Sequence, residues 1–334
     1  MAAPFNVLIS SAGRRVALLR TFRGALAELG LEGRLLAVDI SRASAAFHDA
    51  DLGLQVPRCD SAEFIPAMLE ICRAHEVRLV VPTLDPELLP YAAHRAEFAA
   101  IGTTVAISSP QVVAIGSDKV QTHAWLSSQG FPAPRQALPE DVLAAPDDWP
   151  WPLIVKPVRG SSSIGVARVE TPSALRMAAR AGDHIVQTCA PGKEYTVSVY
   201  VDHHGRCQCA VPRRRLEVRA GEVQKGMAVR APAVQALARD IAERLPGAYG
   251  VLNVQIFWDE ATGALTVIEL NARFGGGYPL AWEAGARYSR WLIEDLLGLP
   301  STASWDAWRD GLVMLRYDDA VFVSRDDAGV GPLD

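Results

Sequence analysis

Three polar side chains in the stretch 251–278 have the types and the spacing that magnesium binding needs. The stretch is predicted to form a β-hairpin whose second strand runs into a glycine-rich loop. With a turn centred on Thr262, Gln255 lies directly opposite Glu269, and Asn271 follows on the same face because side chains alternate along a strand. Carboxylate and amide oxygens are hard ligands of the kind that Mg²⁺ takes. The spacing therefore predicts a metal site on one face of the hairpin.

The same alternation places Leu265 and Val267 on the face of Glu269. A plain alternative is a half-buried hairpin whose polar residues simply face water, and an isolated Glu-Leu-Asn sequence fits that alternative well. Arg273 and the glycines of 275–277 come next in the sequence. Other features of the sequence are needed to distinguish a metal site from a solvated pair of strands.

A lysine and a glycine-serine loop form a second candidate, upstream of the hairpin. Residues 153–157 are predicted to form a strand that carries Lys156, and residues 158–165 form the loop before a second strand at 166–169. Backbone N–H groups and hydroxyls of such a loop can bind phosphate oxygens, and Lys156 adds a point cation. The loop lies between two strands and lacks the Gly-Lys-Ser/Thr ending of a P-loop. Its alternative is a flexible turn beside a solvated lysine.

The N-terminal part is predicted to form a doubly wound, Rossmann-like sheet. An apolar strand at 6–10, a helix at 16–29 and a second strand at 35–38 follow one another in β-α-β order. The first turn has one glycine and two arginines, so the G-x-G-x-x-G fingerprint is absent and a nicotinamide cofactor is disfavoured.

Three polar residues follow the predicted third strand of this sheet, at 78–81. Thr83, Asp85 and Glu87 come at the carboxyl end of the strand, where open α/β sheets bind ligands. The equally weighted alternative is that the two acids only cap the next helix, because acids favour the first helical turn.

Three consecutive arginines begin another predicted hairpin, which returns through Lys225. Arg213, Arg214 and Arg215 form a run that is usually a solvated patch. They could also bind an anionic substrate or a transferred phosphate.

Bulk composition excludes several classes of protein. The 334 residues suggest two or three structural units, and the net charge of −5 gives no general attraction for nucleic acid or anionic membranes. No apolar run approaches the roughly 20 residues of a membrane span, and the first residues lack the basic region of a signal peptide. Five scattered cysteines fit reduced thiols. We therefore expect a cytoplasmic protein.

Taken together, the order of these features resembles the ATP-grasp superfamily over about residues 5–300. The nearest group resembles the carbamoyl-phosphate synthetase large chain and stand-alone carboxylate–amine ligases. The resemblance implies an α/β fold, with a Rossmann-like pre-ATP-grasp domain before an ATP-grasp fold of two subdomains. The implied segments are 1–112 for the first domain, 113–183 for the lysine and glycine-loop subdomain, 184–300 for the subdomain with the metal hairpin, and 301–334 for a C-terminal extension.

The resemblance also implies a role for individual residues. Those implied in catalysis are Lys156, Glu269 and Arg273, and those implied as metal ligands are Gln255, Glu269 and Asn271, with Mg²⁺ as the ion and Mn²⁺ as an alternative. Those implied in nucleotide binding are Lys119, Lys156, Arg159, Gly160, Ser161, Ser162, Ser163, Ile164, Gly165, Gln187, Thr188, Cys189, Glu194 and Asn271. Candidates for lining the substrate pocket are Arg14, Thr83, Asp85, Glu87, Arg213, Arg215, Lys225, Gly276 and Gly277.

The function that the resemblance implies is an ATP-dependent carboxylate–amine ligase. Such an enzyme forms an amide bond through an acyl phosphate, releases ADP and phosphate, and needs only small-molecule partners, with a homodimer as one assembly. Two alternatives stay open: a bicarbonate-activating enzyme and a nucleotide-binding protein without turnover. Gln187 and Gln255 stand where many relatives have an acid, and Gln255 also occurs in the carbamoyl-phosphate synthetase branch.

Overall fold

The computed structural model describes residues 4–160, 164–180, 182–219 and 222–331. The described strands are β1 Asn6–Ser10, β2 Leu35–Asp39, β3 Leu52–Gln55, β4 Val77–Pro82, β5 Thr104–Val105, β6 Gln136–Ala137, β7 Leu153–Pro157, β8 Ala167–Val169, β9 His184–Thr188, β10 Lys193–Val201, β11 Cys207–Arg219, β12 Glu222–Ala228, β13 Gly250–Trp258, β14 Leu265–Asn271 and β15 Val313–Leu315. The described α-helices are α1 Val16–Leu29, α2 Ala45–Asp49, α3 Phe64–Ala74, α4 Asp85–Ala100, α5 Pro110–Ser117, α6 Lys119–Ser128, α7 Pro139–Ala144, α8 Pro172–Ala178, α9 Pro232–Arg244, α10 Tyr278–Ala284 and α11 Tyr288–Leu297.

The N-terminal domain is a parallel five-stranded sheet in the order β3-β2-β1-β4-β5. Its central strands β1 and β4 are buried at every residue but Arg78, because helices cover both faces of a parallel sheet. Helix α1 buries Leu18, Leu19 and Phe22 and ends at Gly30, whose φ of 62° lies in the left-handed region that glycine favours. The predicted Rossmann-like domain is confirmed.

The lysine strand belongs to a separate four-stranded sheet in the order β6-β9-β7-β8. Val142, Trp149 and Leu175 pack a small core against its strands. Because β9 pairs with both β6 and β7, this sheet runs through Thr188. The expected boundary after residue 183 therefore falls before the last strand of the sheet.

The largest sheet is antiparallel, in the order β14-β13-β10-β11-β12-β15. Helix α9 covers one face, where Val234 and Ile241 join the alternate apolar residues of β10 and β13 in one core. Strand β15 pairs with β12, so part of the segment 301–334 completes this sheet rather than forming a separate extension.

The N-terminal domain and the largest sheet share a hydrophobic core. Phe22 of α1 packs edge-on against Phe274, with ring centroids 5.7 Å apart, and α10 and α11 pack against the same cluster. This shared core holds the glycine-rich loop after β14 against the first turn of the N-terminal domain. Among the described residues, no helix is long and apolar enough to cross a membrane.

Candidate active site

The metal hairpin has the predicted pairing but a different face pattern. Gln255 lies directly opposite Glu269, while the next pair is Ile256 with Val267, so Ile268 is an extra residue in β14. A β-bulge of this kind shifts the alternation by one residue. The expectation that Val267 shares the face of Glu269 is wrong, because Val267 is fully buried in the α9 core. The bulge lets β14 send Val267 into the core and Glu269 into the site.

The face opposite α9 has a row of polar residues that runs across four strands. Arg213 on β11 pairs with Thr196 on β10, Thr196 pairs with Gln255 on β13, and Gln255 pairs with Glu269 on β14. Strands in a sheet are about 4.8 Å apart, so the Cα atoms of Arg213 and Gln255 are about 10 Å apart. We call these four residues the polar row.

A second set of hydrogen bonds fixes the end of the hairpin beside the polar row. Asn271 Nδ2 donates to Glu269 Oε1 at 3.2 Å, and Asn253 Nδ2 donates to the carbonyl oxygen of Arg273 at 2.6 Å. Ser198 Oγ donates to Asn253 Oδ1 at 3.1 Å. Asn253 was not predicted as a site residue, although it shares a strand face with Gln255.

Arg273 is held by an acid from the other domain. Its Nε and Nη2 each donate to one carboxylate oxygen of Asp85 at 2.6 Å. Burial acts to lower the pKa of Arg273, but the Asp85 carboxylate, with smaller contributions from Glu269 and Glu87, raises it above its ordinary value. Asp85, at the first turn of α4, therefore serves the site by fixing a cation that follows the metal hairpin.

A cavity of about 410 Å³ lies between the four-stranded sheet and the largest sheet. Its lining includes eight residues predicted for nucleotide binding, which are Lys119, Lys156, Gly160, Ile164, Gln187, Thr188, Cys189 and Glu194. It also includes two predicted metal ligands, Gln255 and Glu269. Apolar side chains of Ile154, Phe257 and Ile268 line it as well. An apolar cleft with convergent polar groups is the usual form of a small-molecule site. We call it the nucleotide-type cavity.

Lys156 is the buried cation of this cavity. Its Nζ donates to the carbonyl oxygen of Ile268 at 3.4 Å, and the residue is only 6% exposed. Burial, helped by the charge of Lys119, lowers the pKa of Lys156 to about 8, although the Glu269 carboxylate opposes this shift. A ligand with negative charge would favour the protonated form and raise this pKa.

The remaining predicted nucleotide contacts surround the loop at 158–165. Lys119 Nζ donates to the carbonyl oxygen of Gly160 at 2.9 Å, and Arg159 lies 3.6 Å from Asp118. Gly165 has a φ of 74°, and a Cβ there would meet Pro157 Cγ at 2.8 Å, so this glycine serves the turn. Ser161, Ser162 and Ser163 lie outside the described residues. Elsewhere in the cavity, Glu194 accepts a hydrogen bond from Arg215 Nη1.

A second cavity, of about 110 Å³, lies on the other side of the metal hairpin. Its lining consists mainly of arginines, the polar row and the glycine run: Arg15, Thr196, Arg213, Arg215, Val223, Asn253, Gln255, Glu269, Asn271, Arg273, Gly275, Gly276 and Gly277. Gln255, Glu269 and Arg215 line both cavities. We call the second cavity the acceptor cavity. It shares the wall formed by these three residues with the nucleotide-type cavity.

Two of the expected substrate residues are structural instead. Glu87 is fully buried, its oxygens accept from Ser10, Ser11 and the backbone N–H groups of residues 83 and 84, and burial raises its pKa. Thr83 is 2% exposed and donates to the carbonyl oxygens of residues 10 and 11. The helix-capping alternative is therefore right for Glu87, and neither side chain lines the acceptor cavity.

Two further substrate candidates do not line the acceptor cavity. Lys225 forms an exposed ion pair with Glu217. Arg14 lines a cavity beside the segment 314–321 and a small cavity beside Gly275 and Gly276, whereas its neighbour Arg15 lines the acceptor cavity itself. Two adjacent arginines in a turn cannot be told apart by type, and only the direction of each side chain decides which one reaches the site.

Known protein families match most of the chain. Residues 7–106 match the family described as PylC-like, N-terminal domain, and residues 116–277 match the ATP-grasp domain family. A D-alanine–D-alanine ligase of Acidiphilium cryptum (strain JF-5) is 30% identical over 186 residues, which cover 50% of this chain and 60% of that ligase. The chain therefore matches less than two thirds of the length of that relative.

Solved structures with low sequence identity have the same fold. The biotin carboxylase domain of the Hydrogenobacter thermophilus 2-oxoglutarate carboxylase has a TM-score of 0.73 and 17% identity, covering 93% of this chain and 74% of that chain. The N5-carboxyaminoimidazole ribonucleotide synthetase of Thermus thermophilus has a TM-score of 0.68 and 19% identity, covering 90% and 80%. The chain belongs to the ATP-grasp superfamily, with a PylC-like N-terminal domain before its ATP-grasp domain.

Proposed function

We propose that the protein is an ATP-dependent carboxylate–amine ligase that forms an amide bond and releases ADP and phosphate. The observation that carries this proposal is the wall of Gln255 and Glu269, which lines both cavities. A phosphoryl group held at this wall from one side would meet a carboxylate bound on the other. Transfer between two substrates needs this in-line placement more than it needs covalent help from the protein.

The residues around the wall fit a magnesium-bound nucleotide. No cluster of three or more His, Cys, Asp or Glu side chains suited to a metal occurs in the described ranges, so Glu269 would supply the charge, with the amide oxygens of Gln255 and Asn271. That set fits Mg²⁺, which takes one or two carboxylates and completes its shell with substrate phosphates and water. When bound, Mg²⁺ would neutralise charge on the phosphates. Lys119, Lys156 and Arg273 would add positive charge around the same groups.

The chemistry proceeds in two balanced steps. A carboxylate oxygen of the acid attacks the γ-phosphorus, the bond to the β–γ bridging oxygen breaks, and ADP leaves with an acyl phosphate formed. The amine then attacks the carbonyl carbon, loses a proton and expels phosphate. The acyl phosphate would form in the acceptor cavity, where Arg273 stabilises charge that develops on its oxygens.

Bicarbonate is a second candidate for the acid that is activated. The acceptor cavity holds only about 110 Å³, which suits a small acid. ATP hydrolysis that bicarbonate stimulates, without any organic acid, would favour this candidate over the ligase.

A homodimer and a cytoplasmic location, both expected from the sequence, stay predictions.

A phosphate-release screen over pairs of carboxylates and amines tests the proposal. We expect release that requires both substrates and that Glu269→Ala or Lys156→Ala abolishes. Glu260→Ala is the matched control, because Glu260 lies in the turn of the same hairpin and bonds to Lys193 and Tyr195, outside both cavities. Full turnover in Glu269→Ala would refute the assignment.

A further inference from the structure

The acceptor cavity contains a buried arginine, Arg213, that forms no salt bridge with a carboxylate of the described residues. Arg213 is 5% exposed, and among the described residues its Nε has no hydrogen-bond partner. Burial, together with the charges of Arg215 and Arg316, lowers the pKa of Arg213 to about 10 against the opposing charge of Glu194. Glu194 already accepts a hydrogen bond from Arg215. A buried charge is costly unless it is paired, and within the described part of the chain no ion pair offsets the burial of this guanidinium.

The glycine run holds this guanidinium in place. A Cβ at Gly277 would lie 2.1 Å from Arg213 Cζ and 2.3 Å from Nη1, and a Cβ at Gly275 would lie 2.8 Å from Asn253 Oδ1. The loop therefore crosses the sheet face directly on the side chains of β13 and β11. Only glycine allows this close approach of backbone to side chain.

Arg213 is on the far side of the polar row from the metal residues. Its Cα atom lies two strands from Gln255 and three from Glu269, about 10 and 14 Å. It lines the acceptor cavity but not the nucleotide-type cavity. Arg273 and Glu269, by contrast, lie together at the end where the phosphoryl group would be transferred. An anion beside Arg213 would therefore lie toward the β11 end of the polar row, whereas Glu269 is at the β14 end.

We propose that Arg213, held against Gly277, binds a carboxylate of the substrate that takes no part in the reaction. This inference rests on the proposed function, and it narrows the substrate class to molecules with a non-reacting carboxylate. That group belongs either to the acid, which is then a dicarboxylate, or to the amine, which is then an amino acid.

Thermal unfolding of the MgADP-bound protein with small probes tests the inference without turnover. The probes are malonate, succinate, glycine and alanine, each compared with the amide in which one carboxylate is neutral. A probe at about 100 times its Kd should raise the Tm by about 4 °C for a chain of this length. Stabilisation by a dicarboxylate but not its monoamide assigns the carboxylate to the acid, and stabilisation by an amino acid but not its amide assigns it to the amine.

Two variants separate ligand binding from a structural role. Arg213→Met should abolish the Tm increase that the probes produce while leaving the free protein at least as stable, because the uncompensated charge is gone. Gly277→Ala keeps the charge of Arg213 but displaces its guanidinium. It should therefore weaken the binding of the same probe at least about tenfold. Arg214→Met is the matched control, since Arg214 lies on the opposite strand face, and it should keep the full shift.

Three results would overturn the inference. The first is that no probe raises the Tm. The second is that the probes raise the Tm of Arg213→Met as much as that of the unaltered protein. The third is that Arg213→Met without ligand has a Tm well below that of the unaltered protein. Loss of ligase activity in the phosphate-release screen would not affect these measurements, so a failure of the proposed function is distinguishable.

Discussion

The ion pair between Asp85 and Arg273 joins the N-terminal domain to the metal hairpin, and removing its carboxylate is the sharpest test of how the site is assembled. Both partners are largely buried, with side chains 20% and 12% exposed. The two hydrogen bonds are parallel, at 2.6 Å each. This bidentate geometry is the strong form of an arginine–carboxylate pair. Asp85→Asn would keep the shape of the side chain and remove its charge.

The expected cost lies between that of a surface pair and that of a fully buried pair. Exposed ion pairs contribute about 0–1 kcal/mol, and removing one partner of a buried pair costs about 3–5 kcal/mol. Partial exposure, together with the bond from Arg273 Nη1 to the carbonyl oxygen of Phe274 at 3.2 Å, reduces the loss. We expect Asp85→Asn to cost about 2–3 kcal/mol.

A double-mutant cycle with thermal unfolding measures this coupling. At about 2.1 cal/mol/K per residue, the entropy of unfolding of 334 residues makes the expected loss equal to about 3–4 °C in Tm. Asp85→Asn and Arg273→Met should each lower the Tm, and the double variant should be little worse than either. Asp60→Asn is the control, because it breaks the exposed pair with Arg58 and should leave the Tm unchanged.

The same substitution should affect catalysis through Arg273. Asp85 is a positioning residue, so Asp85→Asn should lower kcat while the KM for ATP changes little, because the nucleotide-type cavity does not contain Asp85. A coupling free energy below about 0.5 kcal/mol, or an unchanged kcat, would refute the reasoning that this pair fixes the arginine for the reaction.

Two further predictions concern the nucleotide-type cavity. With a pKa of about 8, Lys156 is mostly protonated at pH 7 and mostly neutral at pH 9, so MgADP binding should take up a proton and weaken up to about tenfold per pH unit above pH 8. Calorimetry in two buffers measures the uptake, which Lys156→Arg should remove because arginine stays charged. The exposed thiol of Cys189 should react with a maleimide at least about tenfold more slowly when MgADP is saturating. Labelling of Cys59 is the control and should stay unchanged. Equal protection of both thiols would contradict the placement of the nucleotide.

The sequence predicted the pairing at the centre of the site because that pairing depends on local geometry. A short turn at Thr262 fixes the register of the hairpin, and the register brings Gln255 opposite Glu269. The bulge at Ile268 was not predictable in the same way. It depends on which side chains the α9 core accepts, and Val267 enters that core at a place where strict alternation would have put it in the site.

Residues at a turn were harder to assign than residues on a strand. Glu87 and Asp85 are both acids in the first turn of α4. From the sequence, binding a ligand and capping the helix were equally good predictions for these two residues. The structure divides the roles: Glu87 is buried under backbone N–H groups, and Asp85 reaches Arg273. The direction of a turn residue is set by contacts with distant segments, which a single sequence does not contain.

The glycine run shows most clearly why a local pattern cannot specify its own purpose. Three consecutive glycines after a strand fit a flexible loop as well as they fit a close approach to a ligand. Here the residues beneath the loop decide, since Gly275 lies on Asn253 and Gly277 lies on Arg213. Arg213 in turn reaches that position only because three antiparallel pairings align it with Glu269. The absence of side chains in the loop and the buried charge beneath it are therefore one feature, and a change to either residue should alter the same binding step.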